Sequence, residues 1–143
     1  MNRVVFSSVN PVYATPDWLF ESLQKEFGFT LDVCANPDNA KCLKFITSED
    51  DGLLQKWEGV VWCNPPYGRS IGLWVHKAYM ESFNGITSVL LLPARTDTRW
   101  FHTWVLGKAE IRFIKGRLKF GSEKHNAPFP SMIIVFESKT GDQ

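Results

Sequence analysis

Residues 87–93 read TSVLLLP, and nothing polar interrupts the run from 89 to 92. A strand with one wet face alternates, so this unbroken run predicts a strand buried on both faces. The same reading gives a second strand over VVWC, residues 60–63, and a shorter one within FTLDVCA, residues 29–35, which carries the lone carboxylate Asp32. Elsewhere the spacing becomes helical. In TPDWLFESLQKEF, residues 15–27, Trp18, Leu19, Leu23 and Phe27 fall on one face, behind Thr15 as N-cap, Pro16 at the first helical position and Asp17 in the first turn; Gly28 ends it. In residues 70–83, Ile71, Trp74, Val75, Ala78 and Tyr79 recur at three and four, predicting an amphipathic helix closed by Asn84 and Gly85. Residues 96–107 predict a third helix, capped by Thr96 or Asp97 and stopped by Gly107. Residues 40–47 are mixed, a helical turn into a strand, and 48–57 read as a short helix or turn capped by Ser48 or Asp50. The tail alternates over 109–121, passes through a polar loop and ends in SMIIVFE, which predicts an antiparallel hairpin.

That order of elements is an α/β fold, a mostly parallel sheet flanked by helices with an antiparallel C-terminal edge. Ligands of such sheets bind beyond the carboxyl ends of the strands. Asp32, Asn64 and the segment 93–95 fall at those ends. A chain of 143 residues is expected to be one domain, able to bury roughly two thirds of the surface its unfolded form exposes. The longest apolar run is far below the roughly 20 residues of a membrane span, and the N-terminus carries no signal-peptide pattern, so a cytoplasmic protein is expected. Cys34, Cys42 and Cys63 form no paired motif and lie in or near apolar segments, which predicts reduced thiols; with His76, His102 and His125 scattered singly, no metal site is expected.

The chemistry concentrates where the second strand stops, in VVWCNPPYG, residues 60–68. Asn64 offers a side-chain carbonyl and Pro65 a backbone carbonyl, while Pro66 contributes no N–H and the two prolines fix φ. Tyr67 adds a flat face beside these acceptors. A planar amine with two N–H bonds to donate suits this arrangement, and the exocyclic amine of adenine is such a group. Its lone pair is delocalised into the ring. Accepting both N–H bonds favours a tetrahedral nitrogen ready for in-line attack, with stacking on Tyr67 holding the base still. The plainer alternative is a Pro-Pro turn in which Asn64 caps the following helix.

Taken together, TPDWLFESLQKEFGFTLDVCA, NAKC, DGLLQKWEGVVWCNPPYG, VLLLPARTDTRWFH and GRLKFG followed by NAPFPSMIIVF resemble, in this order, the small phage-type DNA adenine-N6 methyltransferases of the Dam family. The resemblance spans roughly residues 14–137 and implies a Rossmann-like methyltransferase core using S-adenosyl-L-methionine. It implies catalysis by Asn64, Pro65, Pro66 and Tyr67. It brings Asp32 and the backbone of Cys34 and Ala35 to the methionine part of the cofactor, with Thr15 and Pro16 near the same end and Asp50 or Asp51 at the adenosine. The chain departs from wider methyltransferase practice in one respect: CANPDN stands where a Gly-x-Gly turn is usual.

Duplex DNA is the partner this implies, with the target adenine rotated out of the stack and a second flat residue, Phe120 or Phe129, on its opposite face. Lys108, Arg112, Lys115, Arg117, Lys119 and Lys124 face only Glu110 and Glu123 in this part of the chain. Such a local excess predicts a phosphate-contacting face, or else an edge strand guarded by lysines. Arg95 and Arg99 are further DNA candidates, arginine being the usual reader of guanine. No separate target-recognition domain is expected, a short site such as GATC is implied by the resemblance, and no protein partner is. RNA adenine and the amide of glutamine are alternative acceptors for an NPPY site, and a non-enzymatic DNA-binding module that has kept the fold is the alternative to an enzyme.

Overall fold

The computed structural model describes residues 14–120 and 126–139. Among these described residues nine elements follow in the order α1 (Asp17–Phe27), β1 (Leu31–Asp32), β2 (Lys44–Phe45), β3 (Val60–Cys63), α2 (Ile71–Ser82), β4 (Thr87–Pro93), a π-helical turn (Phe101–Val105), β5 (Glu110–Phe113) and β6 (Ser131–Phe136). The strands form one sheet in the order β2-β1-β3-β4-β6-β5. Strands β1 to β4 run parallel, β6 lies antiparallel to β4, and β5 antiparallel to β6. This is the Rossmann-like α/β arrangement anticipated from the alternation of strands and helices, with its antiparallel edge.

Both faces of the sheet are covered, and the two-residue period of the strands divides their side chains between two cores. Trp62, Val89, Leu91, Ile133 and Val135 point to the face on which α1 packs Leu19, Phe20 and Leu23. Val61, Cys63, Leu90, Leu92, Met132 and Ile134 point to the other, against Trp74, Val75 and Ala78 of α2 and Phe101 and Val105 of the π-helical turn. Hence residues 88–93 are all buried, and so is every residue of β6. No helix among the described residues is long and apolar enough to cross a membrane.

Four local expectations change. Pro16, not Thr15, occupies the N-cap of α1, and no side chain caps the helix; the Pro16 carbonyl accepts the Leu19 and Phe20 N–H groups at 3.2 and 3.1 Å. The strand expected over 29–35 is only Leu31–Asp32, because from Val33 onward the chain bends over the sheet's end. The third helix is shorter than predicted and widens into a π turn, with the Leu106 N–H on the Phe101 carbonyl at 2.9 Å. Its leading side chain is Thr98, whose Oγ1 accepts the Phe101 N–H at 3.3 Å, rather than Thr96 or Asp97. In the hairpin, β5 ends at Phe113, and Leu118 and Phe120 turn inward to the α1-side core instead of continuing an exposed ladder.

Residues 48–57 form turns without a helix. Two polar anchors hold them. The Trp57 indole N–H donates to the Gly52 carbonyl at 2.8 Å, and the Trp57 backbone N–H donates to the buried Glu81 carboxylate of α2 at 3.2 Å. Burial opposes the Glu81 charge, but Lys77 at 3.0 Å and its other hydrogen bonds outweigh it and hold this carboxyl below its ordinary pKa. A Cβ added at Gly52 would collide with the Val33 carbonyl and come within 2.9 Å of the Trp74 ring. Gly52→Ala is therefore expected to cost about 1–3 kcal/mol, the usual penalty for overpacking. Urea unfolding should show a lower midpoint at unchanged m-value.

Candidate active site

Chain order reverses between β1 and β3: from β1 the chain steps outward to β2, whereas β3 lies on its other side and leads to β4. The crevice at such a switch point is where doubly wound sheets take ligands. Asp32 pairs in register with Trp62, so Asp32 and Asn64 end neighbouring strands on either side of that crevice. A cleft of about 380 Å³ opens there, lined among others by Thr15, Pro16, Asp32, Cys34, Lys41 and Asn64.

Asp32 is 3% exposed, a costly place for a carboxylate unless its oxygens are occupied. Oδ1 accepts the Cys34 N–H at 3.2 Å and Oδ2 the Lys41 N–H at 3.0 Å, so the side chain clasps both ends of the loop that replaces a Gly-x-Gly turn. Burial nevertheless pushes its pKa up to about 6, against the pull of those two bonds and of the Lys41 charge. Inside the loop Asn36 and Asn39 bond reciprocally through side-chain oxygens and backbone N–H groups. Lys41 also reaches Asp17 of α1 at 3.1 Å and lies 5.7 Å from the Phe20 ring centroid, joining the loop to the helix.

Cys34 also lines a smaller recess of about 140 Å³ on the other side of the loop, with Asp51, Gly52, Ser70 and Trp74. Asp51 is held in the left-handed region (φ 54), tolerable for aspartate because its own Oδ1 takes the Leu53 N–H at 3.0 Å. Asp50 is directed elsewhere: it bonds Thr47 and lines an outer groove beside β2. Ala35 is buried, and its N–H is engaged by the Ile46 carbonyl at 3.1 Å. All three cysteines are free thiols; burial first, then nearby carboxylates, push Cys34 well up and Cys42 to about 11, so neither is a ready nucleophile.

Beyond Asn64, Pro65 is buried and Pro66 half-buried, and Gly68, at φ 137, turns the chain toward α2. The Asn64 Nδ2 donates to Thr15 Oγ1 at 3.0 Å, and its Oδ1 is shielded from solvent. Tyr67 is half-buried and pinned from several sides. Its hydroxyl donates to the Leu91 carbonyl of β4 at 3.3 Å, and Phe120 and Phe129 meet its ring edge-on at 6.2 and 5.6 Å. Phe120, 1% exposed, supports Tyr67 from within the core; Phe129 is half-exposed, with the Arg95 guanidinium 5.8 Å from its ring centroid.

The basic segment divides. Arg112 is drawn away from solvent partners by Glu26 of α1, at 2.6 and 2.7 Å, and by Glu110, and these hydrogen bonds raise its pKa further. Arg95, Arg99, Lys108, Lys115, Arg117 and Lys119 are exposed, and none is in a salt bridge among the described residues. Lys124 lies outside the described residues. Reasoning from sequence passed over Lys41 and Trp62 as cleft residues and Ser70 and Trp74 as recess residues; the run NAKC was the available signal for Lys41.

Comparison with known proteins agrees with this geometry. The family model described as DNA N-6-adenine-methyltransferase (Dam) matches residues 5–141. A DNA N-6-adenine-methyltransferase of Haemophilus phage HP1 is 33% identical over 137 residues, 90% of this chain and 79% of that protein. One from Escherichia phage T1 is 33% identical over 115 residues, 78% of this chain and 48% of that protein. With nearly its whole length matched, and with Asn64 and Asp32 brought to one switch-point crevice, this chain belongs to the DNA N-6-adenine-methyltransferase (Dam) family.

Proposed function

We propose that this protein transfers a methyl group from S-adenosyl-L-methionine to the N6 amine of an adenine turned out of duplex DNA. The observation that carries the reading is that Asn64, at the head of the NPPY turn, shares one cleft with Asp32 and Cys34 at the sheet's switch point. The cleft's chemistry fits the cofactor. Its size is within the ordinary range for small-molecule sites, about 300–1,000 Å³, and Asp32 and Asp38 supply negative charge for an ammonium and a sulfonium. Pro16, Asp32 and the Cys34 backbone would hold the methionine part, and Asp51, across Cys34, the adenosine. Bound there, the cofactor supplies an electrophilic methyl group.

The chain's own residues then have three tasks. Asn64 Oδ1 and the Pro65 carbonyl accept the two N–H bonds of the adenine amine, which raises the nucleophilicity of its nitrogen. The amine reaches Oδ1 only after a local displacement of the groups that shield it. Tyr67, fixed by Leu91, Phe120 and Phe129, offers a face that needs little reorganisation when the base stacks. Phe129 and Arg95 stand beside that face. Once methylated, the nitrogen is strongly acidic and its proton passes to water or a neighbouring acceptor without a strong base. The exposed cations Arg95, Arg99, Lys115, Arg117 and Lys119 would take the phosphates, with Lys124 next to them in sequence, and GATC is the recognition sequence that the family resemblance implies.

Digestion of methylated DNA to nucleosides tests the reaction directly: N6-methyladenine should form with the wild-type protein and fall below detection with Asn64→Ala, while calorimetric affinity for the cofactor stays nearly unchanged. Absence of N6-methyladenine from a wild-type protein that still binds DNA and cofactor would reject the proposal. Sequencing the product reads the target site.

The basic face makes a separate expectation. Replacing Lys115, Arg117 and Lys119 together by alanine should flatten the slope of log affinity for DNA against log salt by about 2.7, at roughly 0.9 per phosphate contact. Arg112→Ala, its guanidinium already held by two carboxylates, should leave that slope unchanged.

Asp32 sets the pH dependence. Its folded pKa of about 6 lies above the ordinary 3.8, so the native state holds the proton more tightly than the unfolded one. Stability is then greatest below about pH 4 for this group and falls as pH rises through 6, by about 3 kcal/mol in all. Cofactor affinity should move oppositely, rising through pH 6 as Asp32 ionises. In Asp32→Asn both the stability step and the affinity step near pH 6 should disappear, as followed by urea titration and calorimetry across pH 4–8.

A further inference from the structure

Thr15 lies two residues before α1, at 5% exposure, and its hydroxyl makes no cap for that helix. It serves a residue 49 positions away instead, accepting the Asn64 Nδ2 hydrogen at 3.0 Å. An asparagine amide has nearly the same shape either way round, so only its hydrogen-bond partners decide which end faces a ligand. With Nδ2 committed to Thr15, Oδ1 takes the opposite direction. We infer that Thr15 is a positioning residue that anchors the Asn64 amide: its hydroxyl, able to serve either end, here accepts from Nδ2 and so leaves the carbonyl to meet the substrate amine; the inference rests on the catalytic reading of Asn64.

Three features make Thr15 a firm reference point. Its side chain is branched at Cβ and restricted in χ1. The helix that follows is docked by Phe20, edge-on to Trp62 at 5.3 Å and 79°, and Trp62 lies two residues before Asn64 on β3. One residue beyond Pro16, Asp17 holds Lys41, whose backbone N–H is bound by Asp32. Thr15, Asn64 and Asp32 are thus referred to one another through α1, β3 and the clasped loop. Reversal of the amide would present two donors to a group that itself has two hydrogens to give, and the acceptor that sharpens the nucleophile would be lost.

The test uses the full chain in three forms besides wild type: Thr15→Ser, which keeps the hydroxyl, Thr15→Val, which keeps the shape, and Thr15→Ala as a second hydroxyl-free variant should the valine form fold poorly. In nitrogen-15 NMR spectra without ligands, the Asn64 side-chain pair is identified by its loss in Asn64→Ala. Its hydrogens should exchange with solvent about fivefold faster or more in the hydroxyl-free variants, the effect of losing one hydrogen bond, and at the wild-type rate in Thr15→Ser. In turnover at saturating cofactor and DNA, kcat should fall about 10- to 100-fold without the hydroxyl and recover to within about threefold in Thr15→Ser, with cofactor Kd changed by less than about threefold. An unchanged Asn64 amide in a folded hydroxyl-free variant overturns the inference. So does a loss confined to cofactor Kd, which would make Thr15 a cofactor ligand. Should the wild-type protein not methylate adenine at all, the functional reading fails while the amide spectra still decide whether Thr15 orients Asn64.

Discussion

A sheet covered on both faces leaves only its ends for polar chemistry. In this fold β4 and β6 are buried along almost their full length, and their alternating side chains are divided between the α1 core and the α2 core. Neither face has room for a charged group that lacks partners, since an uncompensated buried charge costs several kcal/mol. Polar groups are therefore favoured at the carboxyl ends, and the reversal of chain order between β1 and β3 opens a crevice there between two neighbouring strand ends. Asp32 and Asn64 are the residues at which those strands stop being sheet.

The loop after β1 borders the crevice proposed for the cofactor without the usual glycines. A Gly-x-Gly turn admits a ligand by removing side chains; here CANPDN keeps its side chains and is shaped by hydrogen bonds instead. Asp32 takes a backbone N–H from each end of the loop, Asn36 and Asn39 close its middle, and Lys41 ties the far end to α1. The exposed ion pair of Lys41 with Asp17 adds little by itself. The carboxylate does more, because it is buried and both oxygens are occupied. Its elevated pKa is the cost of that placement, and it joins the shape of the loop to protonation within a physiological range.

Much of this was legible in the residues because burial writes a period into the chain. The unbroken TSVLLLP, the run VVWC and the helical spacing of 70–83 each correspond to an observed element, and NPPY and Asp32 were recognisable as polar groups ending apolar strands. The expectations that changed share a cause. Thr15 has the right type and position for an N-cap, yet a hydroxyl has one geometry at a time, and a partner 49 residues away is invisible to local spacing. Phe120 and Phe129 could not be told apart by type, since one faces the core and the other its rim only after residues 114–120 leave the β5 ladder. Arg112 looked like its basic neighbours until Glu26, on a different element, came within 2.6 Å. Asp50 and Asp51 are adjacent, and the backbone turn at Asp51 sends them to different recesses.

Each side chain proposed to act on adenine is held by an element other than its own. Asn64 follows β3 but is bonded to Thr15, two residues before α1; Tyr67 lies in the turn but is bonded to β4 and abutted by two rings from the segment between β5 and β6. A methyl transfer to a weak nucleophile gains most from acceptors that are already aimed, since what they would lose in ordering is then removed by folding rather than at the moment of reaction. A turn stiffened by two prolines provides part of that order, but proline restrains φ and leaves χ angles free. The cross-element contacts supply the rest. Because those contacts come from the segment before α1, from β4 and from the β5–β6 connection at once, the geometry proposed for catalysis needs all of these elements assembled, which couples a site on a short turn to the cooperative folding of the chain around it.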